Sequence, residues 1–196
     1  MALHIDLDIE EKYASFYKLA LHETFPQSAQ DDTLLIENRD DDTLFAMLSA
    51  LQNAQTVRCV IVRDCPRLQS LSALAVLTGL RCVGIWRCPR LCELWDMSRQ
   101  PLAALVLVAC KRMNTLAPLL GCANTLQHLF LQGRAWNAPS LATLAPLPLL
   151  HALVTCDLAV KKIESGQIIY FEECYPQLEA LTITPNLAKY FKRVRE

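Results

Sequence analysis

Glycine is scarce in this chain, with five among 196 residues. Phosphate-cradling loops and the tight elbow around an activated serine both depend on glycine backbones, and neither a Gly-rich phosphate loop nor a Gly-x-Ser-x-Gly sequence occurs. Long apolar runs are missing too. The longest, Leu102 to Cys110, has nine residues, against the ~20 that a membrane helix needs. The opening Met1-Ala-Leu-His-Ile-Asp-Leu-Asp8 lacks the basic start and apolar block of a secretory signal. His4, His22, His128 and His151 follow no metal or nucleophile motif, and His-Glu-x-x-His is absent. The expectations are therefore no enzyme, no catalytic residue, no cofactor, no metal site and no membrane partner, with a cytoplasmic location.

What the chain does have is apolar residues, at 53 %, and nine cysteines. The first suits one continuous core. The second, an odd count with several members inside apolar patterns, favours reduced thiols over a disulfide framework. Three cysteines close a repeated frame. Val57-Arg-Cys-Val60-Ile-Val62-Arg-Asp-Cys65 returns as Leu80-Arg-Cys-Val83-Gly-Ile85-Trp-Arg-Cys88 and as Leu102-Ala-Ala-Leu105-Val-Leu107-Val-Ala-Cys110. Weaker copies follow at Leu126, Leu129, Leu131 and Arg134, at Leu150, Leu153, Thr155 and Leu158, and at Leu178, Leu181, Ile183 and Asn186. A degenerate first copy is read at Thr33, Leu35 and Asn38. Units this small cannot bury their own apolar faces and must stack on one another.

The frame resembles that of the leucine-rich repeat family, Leu-x-x-Leu-x-Leu-x-x-Asn/Cys-x-Leu, over residues 30 to 187, and the Cys-Pro-Arg-Leu tetrads from Cys65 and from Cys88 resemble its cysteine-bearing repeats. The ninth position departs from the pattern at Arg134 and Leu158. The resemblance implies an α/β fold class: a right-handed solenoid with a parallel β-sheet on its concave face and short 3₁₀ or irregular segments on its convex face. The leucine spacing agrees with the convex part. Leu68, Leu71, Leu74, Leu77 and Leu80, then Leu141, Leu144, Leu147, Leu150 and Leu153, fall every third residue, which is the 3₁₀ period and not the α period. Coils of this length are similar to those of the internalin-type branch.

An open stack needs caps. Tyr13, Phe16, Tyr17, Ala20 and Leu21 follow helical spacing, as do Leu44, Met47, Leu48 and Leu51 after Asp40-Asp41-Asp42, and Leu187, Tyr190, Phe191 and Val194 near the end. The chain is accordingly divided into a helical cap with a degenerate repeat at 1–55, core repeats at 56–160, and an irregular connection from Lys161 to Tyr175, a last strand and a capping helix within 161–196. The net charge of -1 conceals a split: residues 1–55 carry three Lys/Arg and eleven Asp/Glu, and the remainder carries sixteen and nine.

Strand alternation sends positions three, five and seven of each frame to the concave face. There it places Ile61, Trp86, Val106, Val108, Phe130 and Val154 as an apolar patch, bordered by Arg63, His128 and Gln132. Open to water, such a patch marks an interaction site, with Trp86 and Phe130 as anchors and Arg63 over the Trp86 ring. The sequence thus predicts a non-catalytic module that binds a protein partner through its concave face. The alternatives are a subunit that buries this face in a homo-oligomer and, more weakly, a bacterial effector-type repeat protein. Arginine rows at positions two and eleven are expected to form a solvated rim. No nucleic-acid motif accompanies them, so nucleic acid is disfavoured as a partner. Cys59 and Cys82, side by side at position three, are expected to be structural.

Overall fold

The computed structural model describes residues 33–113, 115–132, 147–156, 169–170, 175–177, 180–182 and 191–192. Its centre is a seven-stranded parallel sheet. The strands are β1 (Thr33–Glu37), β2 (Cys59–Arg63), β3 (Cys82–Trp86), β4 (Ala104–Val108), β5 (His128–Gln132), β6 (Ala152–Cys156) and β8 (Ala180–Thr182). They lie in the order in which the chain makes them, so each segment between strands returns the chain to the start of a new rung beside the last. β7 (Ile169–Tyr170) and β9 (Phe191–Lys192) form a separate parallel pair.

The register follows the repeated frame residue for residue: Val60 faces Val83, then Leu105, Leu129, Leu153 and Leu181. Residues at positions four and six form one side of the core. Val60, Val62, Val83, Ile85, Leu105, Leu107 and Leu129 are fully buried there. The returning segments form the other side, and the three-residue spacing explains how. Leu68, Leu71, Leu74, Leu77 and Leu80 all have zero exposure, and Ser72–Val76 within that run is a 3₁₀ helix. A period of three aligns every third side chain on one edge, so one edge of the connection supplies the whole inner layer. Each leucine so buried contributes ~1.5–3 kcal/mol. Another 3₁₀ helix, Ala117–Cys122, repeats the arrangement two units on, burying Leu119 and Cys122, with Leu116 buried just before it.

The first unit uses an α-helix instead. α1 (Asp41–Ser49) begins at Asp40, whose carboxylate accepts the Thr43 backbone N–H at 3.1 Å while the Thr43 hydroxyl oxygen accepts the Asp40 N–H at 3.0 Å. This reciprocal cap satisfies donors that a helix start leaves open. Asp41 and Asp42 add negative charge at the positive end of the helix dipole. Leu44 and Leu48 are buried, and Met47 and Leu51 pack at the margin of the core.

The ninth-position cysteines close the bend after each strand. Asp64, Arg87 and Ala109 at position eight adopt left-handed backbone, with φ of 53°, 52° and 57°. The following thiol bonds back to the carbonyl of position seven: Cys65 to Arg63 at 3.3 Å, Cys88 to Trp86 at 3.3 Å and Cys110 to Val108 at 3.6 Å. A small buried side chain with a weak donor fits this inner corner.

Two sequence expectations are corrected. The first rung is displaced by one residue: Leu34 pairs with Val60 and Ile36 with Val62, leaving Leu35 outside at 36 % exposure. Asn38 is therefore not the ninth residue but the left-handed eighth, with φ of 53°, a conformation Asn tolerates well. At the far end a helix through Phe191 is not formed, because Phe191 and Lys192 are extended and paired with β7. Ile169 and Tyr170 likewise give the expected irregular connection a short strand. The helix expected from Tyr13 to Leu21 and the leucines at 141 and 144 lie outside the described residues. Among the described residues no helix is long and apolar enough to cross a membrane.

Candidate functional site

Parallel register gathers the outward positions into three rows on the sheet face opposite the leucine layer. Position three gives Cys59, Cys82, Ala104 and His128; position five gives Ile61, Gly84, Val106 and Phe130; position seven gives Arg63, Trp86, Val108 and Gln132. Eight of the nine residues predicted for the site thus belong to this one face, and the ninth, Val154, is backbone-paired with Phe130 on β6.

The expectation that this face is open to water is corrected. Ile61 is 4 % exposed and Trp86, Val106 and Phe130 are each 2 % exposed within a single chain. His128 is equally enclosed. Among the described residues the face is accessible at the β1 edge, where Leu35 stands beside Ile61 with 36 % exposure, and along position seven, where Arg63, Val108 and Gln132 are half-buried. Alternation determines which way a strand side chain points. What lies over it is decided by chain distant in sequence, to which a local pattern is blind. Nor does Arg63 stack on Trp86: its guanidinium is turned to the neighbouring rung on the other side, where it pairs with the Glu37 carboxylate.

Cys59 and Cys82 are backbone partners in adjacent strands, and both are buried free thiols. The Cys59 thiol and burial push the Cys82 thiol well above the ordinary range, so Cys82 holds its proton. In the bend row the two directions differ. The Cys88 thiol and the backbone N–H groups of Arg39 and Asn38 bring Cys65 down to about 7, whereas burial pushes Cys110 up to about 12. Cys88 is raised, by its neighbour Cys65 and by burial.

Two groupings were not foreseen. His128 and His151, separated by most of a repeat, bring their rings to 6.4 Å between centroids at 30°. The backbone brings the two residues close, since His151 immediately precedes β6 and its N–H bonds to the Gln127 carbonyl at 2.7 Å. The other grouping is a buried polar network: Gln100 accepts from the Trp95 indole N–H and donates to the carbonyls of Leu74 and Leu77 at 2.8 and 3.0 Å. Counting frame positions finds it, because Gln100 stands where Leu77 stands one repeat earlier. Among the described residues no three His, Cys, Asp or Glu side chains converge as a metal site.

No protein-family model matches this chain, and neither does any curated protein or solved structure compared with it.

Proposed function

We propose that this chain is a leucine-rich repeat solenoid whose sheet lines the concave face, and that it works as a non-catalytic protein-binding module. The observation that carries the reading is the composition of the sheet face opposite the leucine layer. A stack of rungs needs only one apolar sheet face for its core, yet Ile61, Trp86, Val106 and Phe130 give the second face an aromatic, apolar centre. Trp and Phe of this kind are typical binding anchors. A reducing, cytosol-like compartment suits the free thiols among the described cysteines.

Because the centre is buried within one chain, a partner meets the face first at its accessible residues, Leu35 at the β1 edge and Arg63, Val108 and Gln132 along position seven. To reach Trp86 and Phe130 it takes the place of the chain's own cover. The observed affinity is then the intrinsic affinity reduced by the fraction of molecules in which that cover is displaced. Burial within the monomer also removes the reason for a second copy to shield the face, so self-association is not needed to explain its composition.

The test places a photoreactive phenylalanine at Val108 or Gln132 and, as a control, at Val76, which is 49 % exposed on a connecting segment. Irradiation in lysate of the source cell is expected to give a discrete heterologous adduct from the first two positions and none from the third. The same adducts from all three, or none from Val108 and Gln132, exclude binding through this face.

A further inference from the structure

The rungs neutralise their own charges at one end of the stack and stop doing so in the middle. Each cation near a strand end is matched by a carboxylate one rung earlier. Arg63 pairs with Glu37, Arg67 with Asp40 at 3.2 Å, and Arg87 with Asp64 through two bonds of 2.6 and 2.7 Å. The third unit breaks the series, because it offers Trp86, Arg87, Pro89 and Arg90 where its predecessors carry acids. Among the described residues Arg90, Lys111 and Arg112 have no carboxylate within salt-bridge reach, and all three are exposed. The sequence of the next unit, from Leu131 to Trp136, contains no Asp or Glu either.

These cations form a row. Arg67, Arg90 and Arg112 all stand at position eleven, and Lys111 adjoins Arg112 at position ten. The ladder continues into the bends, with the N–H groups of Asp64, Arg87 and Ala109 bonded to the carbonyls of Trp86, Val108 and Gln132 at 3.1, 3.0 and 2.8 Å. Successive bends are therefore held at the sheet spacing of ~4.8 Å. Like charges at this spacing repel, and among the described residues no salt bridge offsets that cost at Arg90, Lys111 or Arg112.

We infer that the strip of Arg90, Lys111 and Arg112 is a docking surface for an acidic protein segment, which supplies in trans the carboxylates that Asp40 and Asp64 supply in cis. Rung spacing specifies the partner further. Carboxylates at i and i+4 on a helix lie ~5–6 Å apart, close to the pitch of the row, whereas same-side residues of an extended strand lie ~6.6 Å apart. An acidic helix is the better match. Nucleic acid is the poorer one, since among the described residues the exposed aromatic Phe45 belongs to α1 and no other exposed aromatic stands beside the row as a stacking platform. The strip lies outside the apolar sheet face, so the inference stands or falls separately from the reading of that face.

Fluorescence anisotropy tests it on the full chain. The probe is an alanine-based helical peptide with glutamate at every fourth residue, compared with its glutamine analogue and with a single-stranded RNA of similar charge. The acidic peptide is expected to bind and to weaken as salt rises, and the glutamine analogue to fail. R90Q/K111Q/R112Q should lose about tenfold or more in affinity, while R81Q/R99Q, which removes exposed arginines elsewhere, should change it less than about twofold. Both variants alter exposed residues, and unchanged far-UV circular dichroism verifies folding. Absence of peptide binding at low salt, equal loss in both variants, or tighter binding of the RNA through the same three residues overturns the inference.

Discussion

The connecting segments Cys65–Leu80 and Cys88–Leu102 solve one packing problem in two chemistries. Both place an inward residue at every third position, and both use the same local bond, Leu77 N–H to Leu74 carbonyl at 3.0 Å and Gln100 N–H to Met97 carbonyl at 3.1 Å. In the first segment the inward residue is Leu77, with zero exposure; in the second it is Gln100, at 4 %. A buried amide is tolerated there because each of its polar atoms has a partner, the oxygen in the Trp95 indole and the nitrogen in the carbonyls of the preceding unit. The repeat fixes a position's geometry and its burial, and chemistry is free to vary where every polar group finds a partner.

The largest effect expected from breaking this comparison is in the apolar segment. Leu77→Ala leaves a cavity in a layer with no slack and should cost ~2–5 kcal/mol in the urea unfolding free energy. Gln100→Leu should cost less, ~1–3 kcal/mol, because only one group is left wholly unsatisfied. The Leu74 and Leu77 carbonyls keep their bonds from Leu77 and Leu80 N–H, whereas the Trp95 indole loses its acceptor. Adding Trp95→Phe to Gln100→Leu should recover part of that loss, giving a favourable coupling in a double-mutant cycle. If Gln100→Leu alone is neutral, the two segments are equivalent in energy as well as geometry, and the network has no stabilising role.

This pair also shows what the sequence discloses. The frame Val57 to Cys65 and its copies predicted strand limits, register and the inward leucines, because periodicity reports directly on which side of an element is buried. It failed at the first rung, where Thr33-Leu-Leu-Ile-Glu37 has apolar residues at successive positions and offers no alternation to choose a register. Trp86 and Phe130 were assigned to the correct sheet face for the same periodic reason. Their burial was missed, since cover over a face is a long-range property with no local signature. The left-handed residues at position eight were also missed: Asp64, Arg87 and Ala109 share a backbone conformation but no side-chain chemistry.

The bend thiols extend the comparison to electrostatics, since Cys65 and Cys110 occupy one frame position and shift in opposite directions. Cys65, brought down to about 7, favours the folded state where the unfolded thiol is still protonated, so its contribution is complete above about 9 and disappears as pH falls to about 7. Cys110, held up at about 12, does the reverse. The unfolded thiol ionises first, and stability falls as pH rises from about 9 towards 12. Each thiol can impose a slope of at most ~1.4 kcal/mol per pH unit. Urea midpoints measured from pH 6 to 10.5 should show that Cys65→Ala removes the rise between 7 and 9, and that Cys110→Ala flattens the decline above 9. Equal slopes for both variants and the parent would mean that the two bends present the same environment.

The smallest effects separate the bends by side chain. Left-handed backbone costs Ala109 ~1–2 kcal/mol, and glycine gives back ~0.5–1 kcal/mol through its larger unfolded-state entropy. Ala109→Gly should therefore stabilise by ~0–1.5 kcal/mol, a rise of no more than ~3–6 °C in a thermal midpoint for a chain of this size. Arg87→Gly relieves the same strain but removes the paired bonds to Asp64, worth ~0.2–1 kcal/mol at these exposures. Its net change should lie near zero in low salt and approach that of Ala109→Gly as salt screens the pair. Equal gains at all salt concentrations would show that the Asp64–Arg87 bridge contributes nothing. The matched rungs would then differ from the unmatched ones only in geometry, and the carboxylate template from which the strip at Arg90, Lys111 and Arg112 was read would lose its energetic basis.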